Sequence, residues 1–350
     1  MAAALCAAAL CVGPALGQQA VITGEIRTAS SLNAAQRQVI QDFANQRFDL
    51  LANGGPDERP RARTALVREL DSPSASDAFE RELAQAVLPK ARDLLAPAND
   101  DSTRLNAMIV VAAMANDDAL GLMAERLSDA NVAVRYWAAQ GLAEAVAARQ
   151  GELGGQRTPV QQAILARMAE EPSAEAASHL FQVLSLLQQP PGIQEMGEGL
   201  VARVPLHRDN PAMSHLDTRV ALRQAKVRLT VLQEINPGAV APARRVLAAA
   251  ACRHALVIAD QLANGLVEDE PTRVAHAATL QAIHESLSGW WRDAGGSPGA
   301  RPNNDVVLNP LRFGNWGAMP RAFDQWRQAL TAPNNPMGLT AADLEDAPAE

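Results

Sequence analysis

Residues 119–147 read ALGLMAERLSDANVAVRYWAAQGLAEAVA, and this stretch decides the fold class. A short periodic segment ends at Leu127, the turn Ser128-Asp129-Ala130-Asn131 follows, and a second periodic segment begins at Val132. On the second segment Val134, Ala138, Gly141, Leu142, Ala145 and Val146 fall on one stripe at i, i+4, i+7 and i+8 spacing, as a helix with one buried face requires. Small residues in that stripe let a neighbouring helix come close. Asp129 and Asn131 are placed to accept hydrogen bonds from the unpaired N–H groups that open the second helix. The stretch is a helical hairpin.

Composition extends helix chemistry to the whole chain. The 350 residues are 48% hydrophobic, enough for a sizeable core, yet only 3% aromatic with a single tyrosine. Alanine and leucine dominate the apolar set; they lose little side-chain entropy in a helix, whereas sheets favour branched and aromatic residues. The expected class is all-α. The formal net charge of −8, with only Lys90 and Lys226 as lysines and no basic cluster interleaved with aromatics, makes nucleic acid and anionic membrane surfaces poor partners.

The hairpin resembles a HEAT repeat: Leu127 and Asp129, then Val134, Arg135, Ala138, Ala139 and Leu142, follow that family's L-x-D and V-R-x-x-A-A-x-x-L order. The resemblance implies a short α-solenoid of stacked hairpins, with Asp129 and Arg135 tying successive hairpins together and Val134, Ala138 and Leu142 as packing positions. A repeat predicts neighbours. Upstream, Arg104 to Ala107 followed by Ile109 to Ala112 mirrors the second helix; downstream, Ile164 to Met168, a turn at Glu171-Pro172-Ser173 and a helix through Leu187 make a third hairpin.

The rest of the chain divides by composition. Met1 to Gly17 has the layout of a secretory signal peptide with cleavage before Gln18, although no Lys or Arg precedes its apolar run; a buried Ala-rich helix is the alternative. That layout places the chain outside the cytoplasm of a bacterium, periplasmic or secreted, with no integral membrane segment in the mature form. Residues 18–31 read as a linker, 32–190 as HEAT-like helices, with Pro89 kinking or breaking one of them. Residues 191–295 hold three long helices, over 216–235, 242–262 and 271–291, forming a bundle or extended repeats. Residues 296–333 read as a Pro/Gly-rich loop with one short amphipathic helix, and 334–350 as a disordered acidic tail.

No nucleophile elbow, P-loop, dinucleotide fingerprint or paired-cysteine metal site is present, so neither catalysis nor a cofactor is expected. His254 and His276 lie on apolar helix faces and read as hydrogen-bonded core residues. His207 and His215, with Asp209 and Asp217, flank a loop; a cation in an exposed turn is one reading, and a solvated loop with Ser214 or Asp217 capping the next helix is the other. Cys252 reads as a buried thiol. Trp290, Trp291, Phe313 and Trp316 form either a terminal cap or an interaction hot spot. The leading expectation is a protein-binding or scaffolding module of the bacterial cell envelope. The alternative is an enzyme or ligand binder with a site near His207, His215 and His254.

Overall fold

A computed structural model describes residues 20–187 and 191–345. Among the described residues there are sixteen α-helices, three short 3-10 turns and no strand, which is the all-α class. The signal-like segment lies outside the described residues. The chain forms two compact units, Met1–Asn99 and Asp100–Glu350.

In the first unit α1 (Gly24–Thr28) leads to α2 (Ala34–Asn53), which packs on α3 (Glu58–Leu70) and α4 (Asp77–Leu94). Asn33 and Gln36 close a capping box that starts α2. Phe43, Phe48, Leu66, Phe79 and Leu83 form the core. The linker expected over 18–31 contains α1, fastened by the Arg27–Glu69 ion pair at 2.7 Å. Pro89 does not break α4. Pro89 and Gln85 both lie on the exposed face, so the carbonyl that proline leaves without a partner faces water.

The second unit holds α5 (Asp101–Ala112), α6 (Asp117–Arg126), α7 (Val132–Ala148), α8 (Arg157–Met168), α9 (Ala174–Leu186) and α10 (Pro191–Asp209). It continues through α11 (Leu216–Ile235), α12 (Pro237–Ala263), α13 (Glu270–Asp293), α14 (Asn304–Phe313), α15 (Met319–Thr331) and α16 (Ala341–Leu344). The helices α5, α7, α9, α11 and α13 pack each on the next, and α6, α8, α10 and α12 do the same in a second layer. Packing of α9 on both α10 and α11 runs across residue 190, as extended repeats would have it.

The 119–147 hairpin is α6 and α7. Val134, Ala138 and Leu142 are fully buried. Arg135 donates from Nε and Nη2 to Glu171 (2.7 and 3.0 Å) and from Nη1 to the carbonyls of Asp129 and Ala130 (2.9 and 3.0 Å). Asp129 in turn accepts from Arg104 of α5 and from the Asn131 N–H. Each arginine thus fastens its helix to the turn of the next hairpin. A Cβ on Gly141 would lie 2.7 Å from the Ala112 Cα, so α5 and α7 meet at a separation only glycine permits.

Two expectations for the C-terminal segments change. The loop expected over 296–333 contains the helix α14, opened by an Asn303 side-chain cap and closed by Gly314 in the left-handed region. The tail is ordered as far as residue 345: Met337, Leu339 and Leu344 are buried, and Asp343 pairs with Arg245 of α12 at 2.8 Å. Trp290 and Trp291 are also buried, so neither offers a contact surface; Trp291 Nε1 donates to the Ser297 carbonyl (3.0 Å) and pins the chain after α13. Phe313 is 76% exposed and Trp316 half-buried. The helix α12 is long and apolar enough to cross a membrane, but 72% of its apolar window is buried inside the fold, as for a core helix.

Candidate functional site

Four histidines converge inside the second unit, each from a different element. His207 lies in the last turn of α10, His215 is the N-cap of α11, His254 is at mid-length on α12 and His276 is on α13. All four are fully buried. The convergence follows from packing: α12 lies against α10, α11 and α13, and α11 lies against α13.

Local chemistry fixes each ring. The helix α10 opens at Pro191 and ends at Asp209, where Gln261 Nε2 donates to the His207 carbonyl (2.7 Å) and so satisfies one of its unpaired terminal groups. Arg203, one turn earlier, is fully buried; its Nη1 donates to the carbonyls of Met168 and Glu171 (2.5 and 2.9 Å) at the end of α8, and its Nε pairs with Asp217. His215 is left-handed, with φ 52 and ψ 23, which costs a non-glycine residue on the order of 1 kcal/mol. Ser214 Oγ accepts the Leu216 N–H at 3.4 Å, while Asp217, instead of capping α11, turns inward to Arg203.

The ring geometry is tight. His207 Nδ1 lies 3.1 Å from His254 Nδ1, and His254 Nε2 lies 2.7 Å from the Leu200 carbonyl oxygen. His207 Nε2 lies 3.3 Å from Asp217 Oδ2, off the ideal hydrogen-bond line. Ring centroids of His207 and His215 are 3.9 Å apart, and those of His215 and His276 4.6 Å. Both nitrogens of His215 are buried without a hydrogen-bond partner. One nitrogen from each of His207, His215 and His254 lies within 4.8 Å of the other two.

Burial sets the charges. It pushes His254 down to about 3 and His276 down to about 4, and it holds His215 well below the ordinary range. These imidazoles are neutral at pH 7. Burial alone would favour the neutral acid at Asp217, but the Arg203 guanidinium, with His207, holds its carboxyl below the usual carboxylate range. An open groove of about 600 Å³ borders the same turn, lined by Ser173, Glu175, Asp209, Met213 and Ser214.

His207 and His215 therefore do come together, buried in the core and not in an exposed turn, and His254 joins them; Asp209 stays on the surface. Elsewhere, burial pushes the Cys252 thiol up to about 12, making it an inert core group. His284 accepts from Trp326 Nε1 (3.0 Å), with Asn304 on its other nitrogen. Arg203 is the chamber residue that sequence reading passed over. No family model, curated protein or solved structure matches this chain.

Proposed function

We propose that the protein binds a d-block metal ion through His207, His215 and His254. The observation that carries this reading is the opposition of two Nδ1 atoms 3.1 Å apart. The Leu200 carbonyl only accepts, so the His254 proton belongs on Nε2 and its Nδ1 presents a lone pair to His207 Nδ1, with the Thr218 hydroxyl 3.5 Å away. Two Nδ1 atoms at that distance need a cation between them, a proton or a metal ion. A shared proton answers that pair but leaves the two orphaned nitrogens of His215; a metal ion answers all three rings. Ligands of one ion with 2.0–2.1 Å bonds stand about 3.3 to 3.5 Å apart, so the first pair is nearly in place and His215 closes by roughly 1 Å.

Neutral imidazole is the ligating form, and burial supplies it at His215 and His254. The Asp217 carboxylate and the Leu200 carbonyl then serve as the outer acceptors that orient two ligand rings. Element analysis of protein purified without chelators, with melting temperatures across a metal panel, tests the reading. Stoichiometric metal or a metal-dependent rise in melting temperature is expected. Absence of both contradicts it.

A second reading, a protein-binding or scaffolding module of the bacterial envelope, is supported by a different observation. Val227, Val231 and Ile235 make an exposed apolar stripe at i, i+4 and i+8 on α11, 63%, 37% and 68% exposed. The signal-like Met1–Gly17 supports export. Cross-linking in envelope fractions tests this reading; a reproducible partner is expected, and a chain recovered alone contradicts it.

A further inference from the structure

Donor type, coordination number and charge narrow the class of ion, on the footing of the metal-binding reading above. The converging group consists of three imidazole nitrogens; no carboxylate or thiolate among the described residues belongs to it. Mg²⁺ and Ca²⁺ require oxygen ligands and are excluded by that donor set. Zn²⁺ held by three imidazoles takes a fourth ligand, commonly water. His276 lies outside the converging group, although both of its ring nitrogens, like those of His215, are buried without a hydrogen-bond partner.

Charge points the same way. The one carboxylate at the chamber, Asp217, is already matched by the fully buried Arg203. An entering ion therefore brings its whole charge into a site walled by His207, His215, Thr218 and His254, all at 0% exposure. The cost of burying an ion rises as the square of its charge, so a dication costs about four times as much as a monocation of the same size.

We infer that the chamber selects monovalent copper, Cu(I), held in three-coordinate geometry by His207, His215 and His254. Cu(I) has a filled d shell, accepts imidazole nitrogen and is satisfied by three ligands. The row of donors then needs neither a water nor an added anion.

The test is a pair of anaerobic competitions on the full chain: bathocuproine disulfonate for Cu(I) and 4-(2-pyridylazo)resorcinol for Zn(II). The expected result is one Cu(I) withdrawn from its chelator per chain, with Zn(II) left on its own. X-ray absorption of the copper-loaded protein should then show three nitrogen scatterers and no sulfur. The His215→Gln variant should lose roughly 100-fold or more in Cu(I) affinity. Binding of Zn(II) more tightly than Cu(I) overturns the selectivity and leaves the metal-binding reading standing; binding of neither overturns both. A sulfur-containing shell, or His215→Gln at full affinity, overturns the ligand set. The absorption measurement on the unaltered protein decides the ligand question even if the variant does not fold.

Discussion

The Nδ1 atoms of His207 and His254 face each other at 3.1 Å while the opposite nitrogen of each ring turns to a group that only accepts. Residues 47 positions apart in sequence are brought to that distance by the packing of α10 on α12. The Thr218 hydroxyl also stands 3.5 Å from His254 Nδ1. A core histidine satisfied by the fold alone has a donor at one nitrogen and an acceptor at the other. His284 is the internal example, with Trp326 Nε1 donating to its Nδ1 and Asn304 Oδ1 accepting at its Nε2.

That contrast gives a pH prediction at His284. Burial lowers its proton affinity, and the Trp326 donor occupies the nitrogen a second proton would need; Arg301 adds to the effect, while the Asn304 hydrogen bond and Glu285 oppose it. The unfolded chain takes up this proton near pH 6.5 and the fold only at lower pH, so stability present above pH 6.5 is lost as the pH falls below it. Urea midpoints at about pH 7 and about pH 5 should drop less in His284→Gln than in the parent chain. Equal drops would contradict the assignment.

Arg135 should be the most sensitive of the repeat-position residues. It is buried, pairs with the buried Glu171 and satisfies two turn carbonyls. Arg135→Ala leaves a buried carboxylate with less compensation and should cost about 3–5 kcal/mol in chemical denaturation. A loss under about 1 kcal/mol would mark the pair as a surface-like contact.

Gly141→Ala sets two effects against each other. Alanine favours a helix interior over glycine by about 1 kcal/mol. Its methyl group, however, would meet the Ala112 Cα at 2.7 Å and the Met123 sulfur at 2.6 Å, and overpacking costs about 1–3 kcal/mol. Backbone on the facing side cannot yield cheaply, so net destabilisation is expected from the denaturation midpoint. A stabilised variant would mean that α5 and α7 separate freely.

The hairpin of α6 and α7 was legible because its apolar stripe, its turn residues and its Asn131 cap all agree. The helix α10 was not. Pro191, Gly197, Gly199 and Pro205 weaken its pattern, yet Pro191 sits at the helix start and a Cβ on Gly197 would lie 2.7 Å from Val246 of α12. What reads as poor helix propensity is the condition for close packing on α12. Without α10, His207 and His215 border a loop in the sequence, and nothing local indicates that both turn inward. Their meeting with His254 is a tertiary event, set by α10, α11 and α12 together.

Equilibrium dialysis of the chain and of His254→Gln against d-block ions, followed by element analysis, tests metal binding at the histidine chamber most directly. The account predicts one retained ion per parent chain and none in a folded His254→Gln. A parent chain that retains no ion, or a variant that retains as much as the parent, would contradict it.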